Sequence, residues 1–307
     1  MVSVSMRRTL LLGVLGLAAL GAVAALAGRG STAAGGALQV VAAENVWGSI
    51  AAQLGGDRVR VTSVIANPAT DPHDYEPTAV DARAFAQARL VLVNGVGYDP
   101  WAPKLLAGNP VDGRLVLTVG DLVGVGPGGN PHRWYSPPDI RKAITAIAAD
   151  YERLDPKHAA YFERRRAAFE AKGLAAYRRE IATIRRRYAG VAVGASESIF
   201  APLAQALGLR LVTPASFLKA VGEGSEPTAR DVSTIDRQIA RREIAVWVFN
   251  SQNSTPDVQR LTNAARGRGI AVTTITETLT PANATFQAWQ VAQLRALRAA
   301  LAEATGQ

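Results

Sequence analysis

Cysteine is absent from this chain of 307 residues, and histidine occurs only three times. The lack of cysteine removes disulfides, thiolate zinc sites and cysteine nucleophiles together, so any metal would have to sit on nitrogen and oxygen. Long runs of basic residues are missing too. The formal charge is +9, yet the Lys and Arg residues are scattered through helical stretches, which argues against a nucleic-acid footprint. Arg185, Arg186 and Arg187 read as a solvated helix face. There is no internal repeat and no second apolar run long enough to cross a membrane after the first one. What is present is the balance of an ordinary packed protein, 48% hydrophobic and 19% charged, and a length that permits two lobes.

That first apolar run sets the compartment. Arg7 and Arg8 precede an uncharged stretch from Leu10 to Leu26, ending in Ala25-Leu26-Ala27. Residues 1–27 therefore read as a signal peptide, or as an N-terminal anchor if the small-x-small ending is not cut. Export to the cell surface or periplasm is expected. Because Gly28 and Arg29 follow and no cysteine is available, the expected form is not a cysteine-linked lipoprotein. Residues 28–36, rich in Gly, Ser and Ala, read as a flexible tether.

From Ala37 onward, strand-like runs recur at Leu38–Ala43, Val59–Ile65, Leu90–Asn94 and Leu115–Val119, with helical stretches between several of them. A second set follows at Val191–Ala195, Leu209–Val212, Ile244–Phe249 and Ile270–Ile275. This alternation predicts α/β architecture with mainly parallel sheets, in lobes at 37–155 and 189–307. Between them, Tyr177, Ile181, Ile184 and Tyr188 step by four, three and four along a charged stretch. Residues 156–188 are predicted to be a long connecting helix.

Two of the three histidines fall in Pro-bracketed loops just past a strand: His73 in Asp-Pro-His-Asp-Tyr-Glu-Pro, and His132 in Asn-Pro-His-Arg-Trp. Ligands bind at the C-terminal edge of an open α/β sheet, and imidazole is the commonest metal ligand. His158, beside Lys157 on a helix, reads as a surface residue. The second lobe offers two carboxylates in equivalent places, Glu197 after Val191–Ala195 and Glu277 after Ile270–Ile275. Each alone would pass for a helix-dipole or loop charge; the four together suggest a cleft site.

These motifs resemble those of the zinc/manganese-type solute-binding proteins of ABC importers, also known as cluster A-I or adhesin-like metal receptors. The resemblance rests on His73-Asp-Tyr-Glu-Pro77, on Asn130-Pro131-His132 with Trp134 and Pro137, on Glu197 ahead of Phe200 and Gly208-Leu209, and on Glu226-Pro227-Thr228 before a helix. It implies two Rossmann-like lobes joined by one long rigid helix. It also implies a divalent ion (Mn2+, Zn2+ or Fe2+) held as cargo by His73, His132, Glu197 and Glu277, a permease that receives it, and no catalysis. A monomer is expected, and no nucleic-acid partner. The sequence departs from the zinc importers in having Glu197 where histidine is usual, Glu277 in place of the usual aspartate, and no histidine in Val123–Asn130. Two other readings remain open: a metallohydrolase using Asp74 or Glu76 as general base, and an adhesin or organic-ligand receptor lined by Trp47, Tyr98, Trp101 and Trp134. Neutral imidazoles are required for metal binding, so affinity is expected to fall as pH drops through about 6.5.

Overall fold

The computed structural model describes residues 36–68, 70 and 75–307. The segment 1–35, with its signal-like run and most of the tether, lies outside them, as do His73 and Asp74. Residues 37–307 form one compact unit.

Among the described residues, short aliphatic runs bounded by turns become eight strands: β1 (Leu38–Glu44), β2 (Val59–Ile65), β3 (Leu90–Val93), β4 (Leu115–Thr118), β5 (Ala192–Ala195), β6 (Arg210–Leu211), β7 (Val246–Asn250) and β8 (Ala271–Ile275). They form two four-stranded parallel sheets, ordered β2-β1-β3-β4 and β6-β5-β7-β8. All four residues of β3 are buried, and so are the last five of β1, whereas edge strand β2 is only half covered. A continuous apolar run suits a strand packed on both faces; an edge strand tolerates polar positions. In the second sheet Gly194 is needed for close packing, since a Cβ there would come within 2.8 Å of the Trp247 ring.

In each sheet the chain first crosses to one side, to β2 or β6, and then returns past the first strand to the other. The switch point therefore falls between β1 and β3 in one sheet and between β5 and β7 in the other. Ligands collect at the carboxyl ends of strands at such points. Glu44, Asn94, Glu197 and Asn250 all stand there, at or just past the ends of β1, β3, β5 and β7.

The connecting segment starts as a 3-10 turn at Pro156–His158, runs as an α-helix over Ala159–Ala168, widens to a π-helical turn at Phe169–Gly173 and resumes as Ala175–Tyr188. Tyr177, Ile184 and Tyr188 are buried on one stripe, as their spacing predicts. One apolar core runs through both sheets, joining Val40 and Leu92 to Val193 and Val246. Further bonds tie the halves together: Phe286 N donates to Ser49 Oγ (2.9 Å), Leu279 N to Asn45 Oδ1 (3.2 Å), and Gln53 Nε2 to Gln287 Oε1 (3.0 Å). No helix among the described residues is long and apolar enough to cross a membrane.

Candidate metal centre

His132 follows Pro131 and starts a 3-10 turn at Arg133–Tyr135. Its loop is held from behind. Trp47 Nε1 donates to Asn94 Oδ1 (3.2 Å), and Asn94 Nδ2 donates to the Pro131 carbonyl (2.8 Å). Asn130 decides how the ring is protonated. Its Oδ1 accepts from the His132 backbone N–H and lies 3.0 Å from Nδ1, while its Nδ2 donates to the Ser198 carbonyl (2.6 Å). Nδ1 must then carry the hydrogen, leaving the Nε2 lone pair as the open donor. Nε2 is buried and makes no hydrogen bond. Trp134 and Tyr98 pack edge-on against the ring, at centroid distances of 5.4 and 5.8 Å.

Glu197 and Glu277 face this nitrogen from the second lobe. One ligand atom from each of His132, Glu197 and Glu277 lies within 4.8 Å of the others, and all three residues are buried. His132 Nε2 is 3.2 Å from Glu277 Oε2. Two donors about 2.1 Å from one cation and at right angles would stand about 3.0 Å apart, so the spacing suits a shared transition-metal ion. The carboxylates are aligned by neutral donors. Asn250 Nδ2 donates to Glu197 Oε1 (3.0 Å) and to Glu277 Oε1 (2.7 Å). Asn253 Nδ2 donates to Glu197 Oε2 (2.7 Å), and the Tyr98 hydroxyl to Glu277 Oε2 (2.9 Å). Tyr98 belongs to the first lobe, so this last bond also joins the lobes across the site.

Burial, and then the charge of Glu277, push the Glu197 carboxyl up to about 8. Burial pulls His132 down to about 4. The His132 imidazole is thus neutral well below pH 6.5 and does not carry the expected fall of affinity through that pH; at this end of the site the Glu197 carboxyl holds the proton instead. Nearby, burial first and the Asp99 charge second raise Glu44 well above the carboxylate range. Asp99 accepts from the Asn94 and Gly95 backbone N–H groups at 2.7 and 2.8 Å, so the proton of that pair rests on Glu44.

Three of the four candidate ligands therefore meet at one point. The fourth, His73, lies outside the described residues. His158 plays no part in the cluster; its Nδ1 pairs with Asp155 at 2.7 Å. Glu76 is exposed. Asn250 and Asn253 are functional neighbours that the sequence did not single out, although Asn250, the last residue of β7, obeys the same strand-end rule as the glutamates; Tyr98 was singled out only as the lining of an organic-ligand cleft, and its hydroxyl serves Glu277 instead. An Asn250→Ala variant should bind metal 10–100-fold more weakly, the usual cost of losing an outer-shell partner, because both carboxylates lose their shared donor. Calorimetric titration reads this directly.

The family model for ZnuA, the periplasmic component A of a zinc-uptake complex, matches residues 40–300. The chain belongs to this family. Among similar proteins, the metal ABC transporter substrate-binding lipoprotein FimA of Streptococcus parasanguinis is 24% identical over 249 residues, covering 74% of this chain and 76% of its own. The manganese-binding lipoprotein MntA of Bacillus subtilis is 28% identical over 272 residues, 83% of this chain and 86% of its own. A manganese-bound periplasmic metal-binding protein from Candidatus Liberibacter asiaticus superposes with a TM-score of 0.69 at 19% identity, over 85% of this chain and 98% of that one; it shows the same fold. The family's members are substrate-binding components of transporters, with a metal ion and a permease as partners. These relatives correct one expectation. Export agrees with them, but the absence of cysteine predicts a protein that is not a lipoprotein, and FimA and MntA are named as lipoproteins. That part of the localisation is withdrawn: composition says which side chains a chain has, not how a family is held at the membrane.

Proposed function

We propose that this chain captures a divalent transition-metal ion, manganese, zinc or iron, with His132, Glu197, Glu277 and His73, and delivers it to the permease of an ABC importer. The observation that carries this reading is the buried meeting of an open Nε2 lone pair with two carboxylates, each aligned by neutral donors. His73 is included because its loop leaves the C-terminal end of β2, where Ile65 pairs with Glu44 at the same edge of the sheet, and because Gln252 of the second lobe donates to the Pro68 carbonyl in that loop. One nitrogen-rich and one oxygen-rich pair of donors accepts several first-row ions. We read the lobes as 37–155 and 189–307, with 156–188 between them, and the protein as a monomer without a nucleic-acid partner.

The reading as a carrier and not an enzyme is supported by the donor set, because four protein ligands leave little room for an activated water. Glu76, a candidate base, is on the surface. Trp47, Tyr98, Trp101 and Trp134 are core residues, which disfavours an organic-ligand cleft. Protein purified without chelators should carry close to one equivalent of manganese, zinc or iron by elemental analysis, and should rebind one after stripping. Metal-free protein with no measurable affinity for any of the three would sink the assignment.

A further inference from the structure

On the side of the molecule formed by the connecting segment lies a groove of about 440 Å³ that shares no lining residue with the metal centre. Its floor is apolar: Ile140, Leu174 and Tyr177 are buried and Ile181 is half-buried. The Tyr177 hydroxyl is buried without a hydrogen-bond partner. Three exposed guanidiniums line the same groove, Arg141, Arg178 and Arg185. Arg178 donates to the backbone carbonyls of Glu170 and Ala171, and Arg185 to that of Ala206, so their charges are oriented but not neutralised. The one acid in the lining, Glu170, is paired with Arg166 at 3.3 Å.

The groove opens onto a predominantly basic surface. Residues 156–188 hold ten Lys or Arg against three Glu, a net of seven in a chain whose total is +9. On the Ala175–Tyr188 helix the only acid, Glu180, is turned to Arg295 (3.2 Å) and Arg298 (2.9 Å) of the C-terminal helix. Arg179, Arg186 and Arg187 are exposed, and none has a carboxylate within ion-pair distance among the described residues. The helix therefore presents a basic outer face beside an apolar furrow rimmed by guanidiniums. An anionic phospholipid surface has the complementary chemistry: phosphates for the guanidiniums and acyl carbon for the floor.

We propose that this groove and the basic face beside it dock the protein on an anionic phospholipid bilayer, with the metal centre left free. Membrane attraction grows by a roughly constant increment for each Lys or Arg near the surface, so neutralising three of them should weaken binding by roughly a hundredfold. The full chain is tested by flotation with vesicles of phosphatidylcholine alone and with about 30 mol% phosphatidylglycerol added, against the triple variant Arg179→Ser, Arg186→Ser, Arg187→Ser and the groove variant Ile181→Asp. The apolar run Leu10–Leu26 is common to every arm, so the readout is the difference between vesicle types. The expected result is strong preference of the wild type for the anionic vesicles, loss of that preference in both variants, and unchanged metal affinity in both, which certifies their fold. Equal partition of the wild type into the two vesicles, or a triple variant that floats like wild type, overturns the proposal. So does an acidic peptide that binds the wild type in solution as tightly as the anionic vesicles do.

Discussion

The His132→Ala variant should lose more metal affinity than the 10–100-fold that removal of an outer-shell partner costs, because Nε2 is the donor that everything around it serves. Asn130 fixes the hydrogen on Nδ1, Asn94 fixes the loop through the Pro131 carbonyl, and two aromatic rings hold the plane of the imidazole. Thermal unfolding gives a second reading. A ligand at a hundred times its dissociation constant stabilises the folded state by about 2.7 kcal/mol, so at that concentration the wild type should melt several degrees higher with metal than without, and the variant should hardly respond. Truncating a buried ring also leaves a cavity, which lowers the melting temperature of the variant whatever the metal does. The Glu277→Gln variant separates the two effects, since it keeps the volume and a hydrogen-bonding group while removing the charge. Both variants should lose the metal-dependent increment. If His132→Ala keeps the full increment, this nitrogen is not a ligand.

Much of this was legible in the residues. The eight strands stand where aliphatic runs placed them, with ends shifted by at most two residues, because strands buried on both faces need unbroken apolar sequence and little else. Glu197 and Glu277 were legible for a related reason: each follows a strand, and in a parallel sheet all strand ends face one way; His132 was legible from its Pro-bracketed loop, although a short helix at Val119–Val123 separates that loop from β4. The features that were not legible depend on burial and on contact between distant segments. Tyr98 and Trp134 were legible only as aromatics that could line a cleft; both are core residues, and the hydroxyl of Tyr98 reaches a carboxylate 179 positions later in the chain. No sequence motif marks Asn250, and only the fold brings its amide between two acids. The π-helical turn at Phe169–Gly173 was hidden because the apolar stripe that predicts the helix begins beyond it, at Tyr177.

The same burial reverses the pH argument and yields the second large effect. At pH 7 the Glu197 carboxyl of the metal-free protein, raised to about 8, carries a proton that an incoming cation must displace. His132, lowered to about 4, has none to give. Binding at pH 7 should therefore release close to one proton, and affinity should climb by up to about tenfold per pH unit between 6 and 8. Calorimetric enthalpies measured in buffers of different ionisation heat count that proton. Stability of the metal-free protein should move the other way. The folded state holds a proton on Glu197 between its ordinary value of 4.5 and about 8 that the unfolded chain does not, so this group's contribution is present at low pH and is lost as pH rises through 8. His132 has the opposite sign, because from about 4 to its ordinary 6.5 it is the unfolded chain that holds the extra proton. The two oppose each other below pH 6.5, and of the two only Glu197 acts above it; Glu44, raised by burial as well, works in the same direction as Glu197. The metal-free protein should be less stable at pH 8 than at pH 6.5, with Glu197 contributing up to about 1.4 kcal/mol per pH unit, while the metal-loaded protein, with both carboxylates neutralised by the cation, should lose the Glu197 part of that decline. A metal-free melting temperature that rises from pH 6.5 to 8, together with binding that releases no proton, would mean that Glu197 is already ionised and that the cation meets two bare carboxylates.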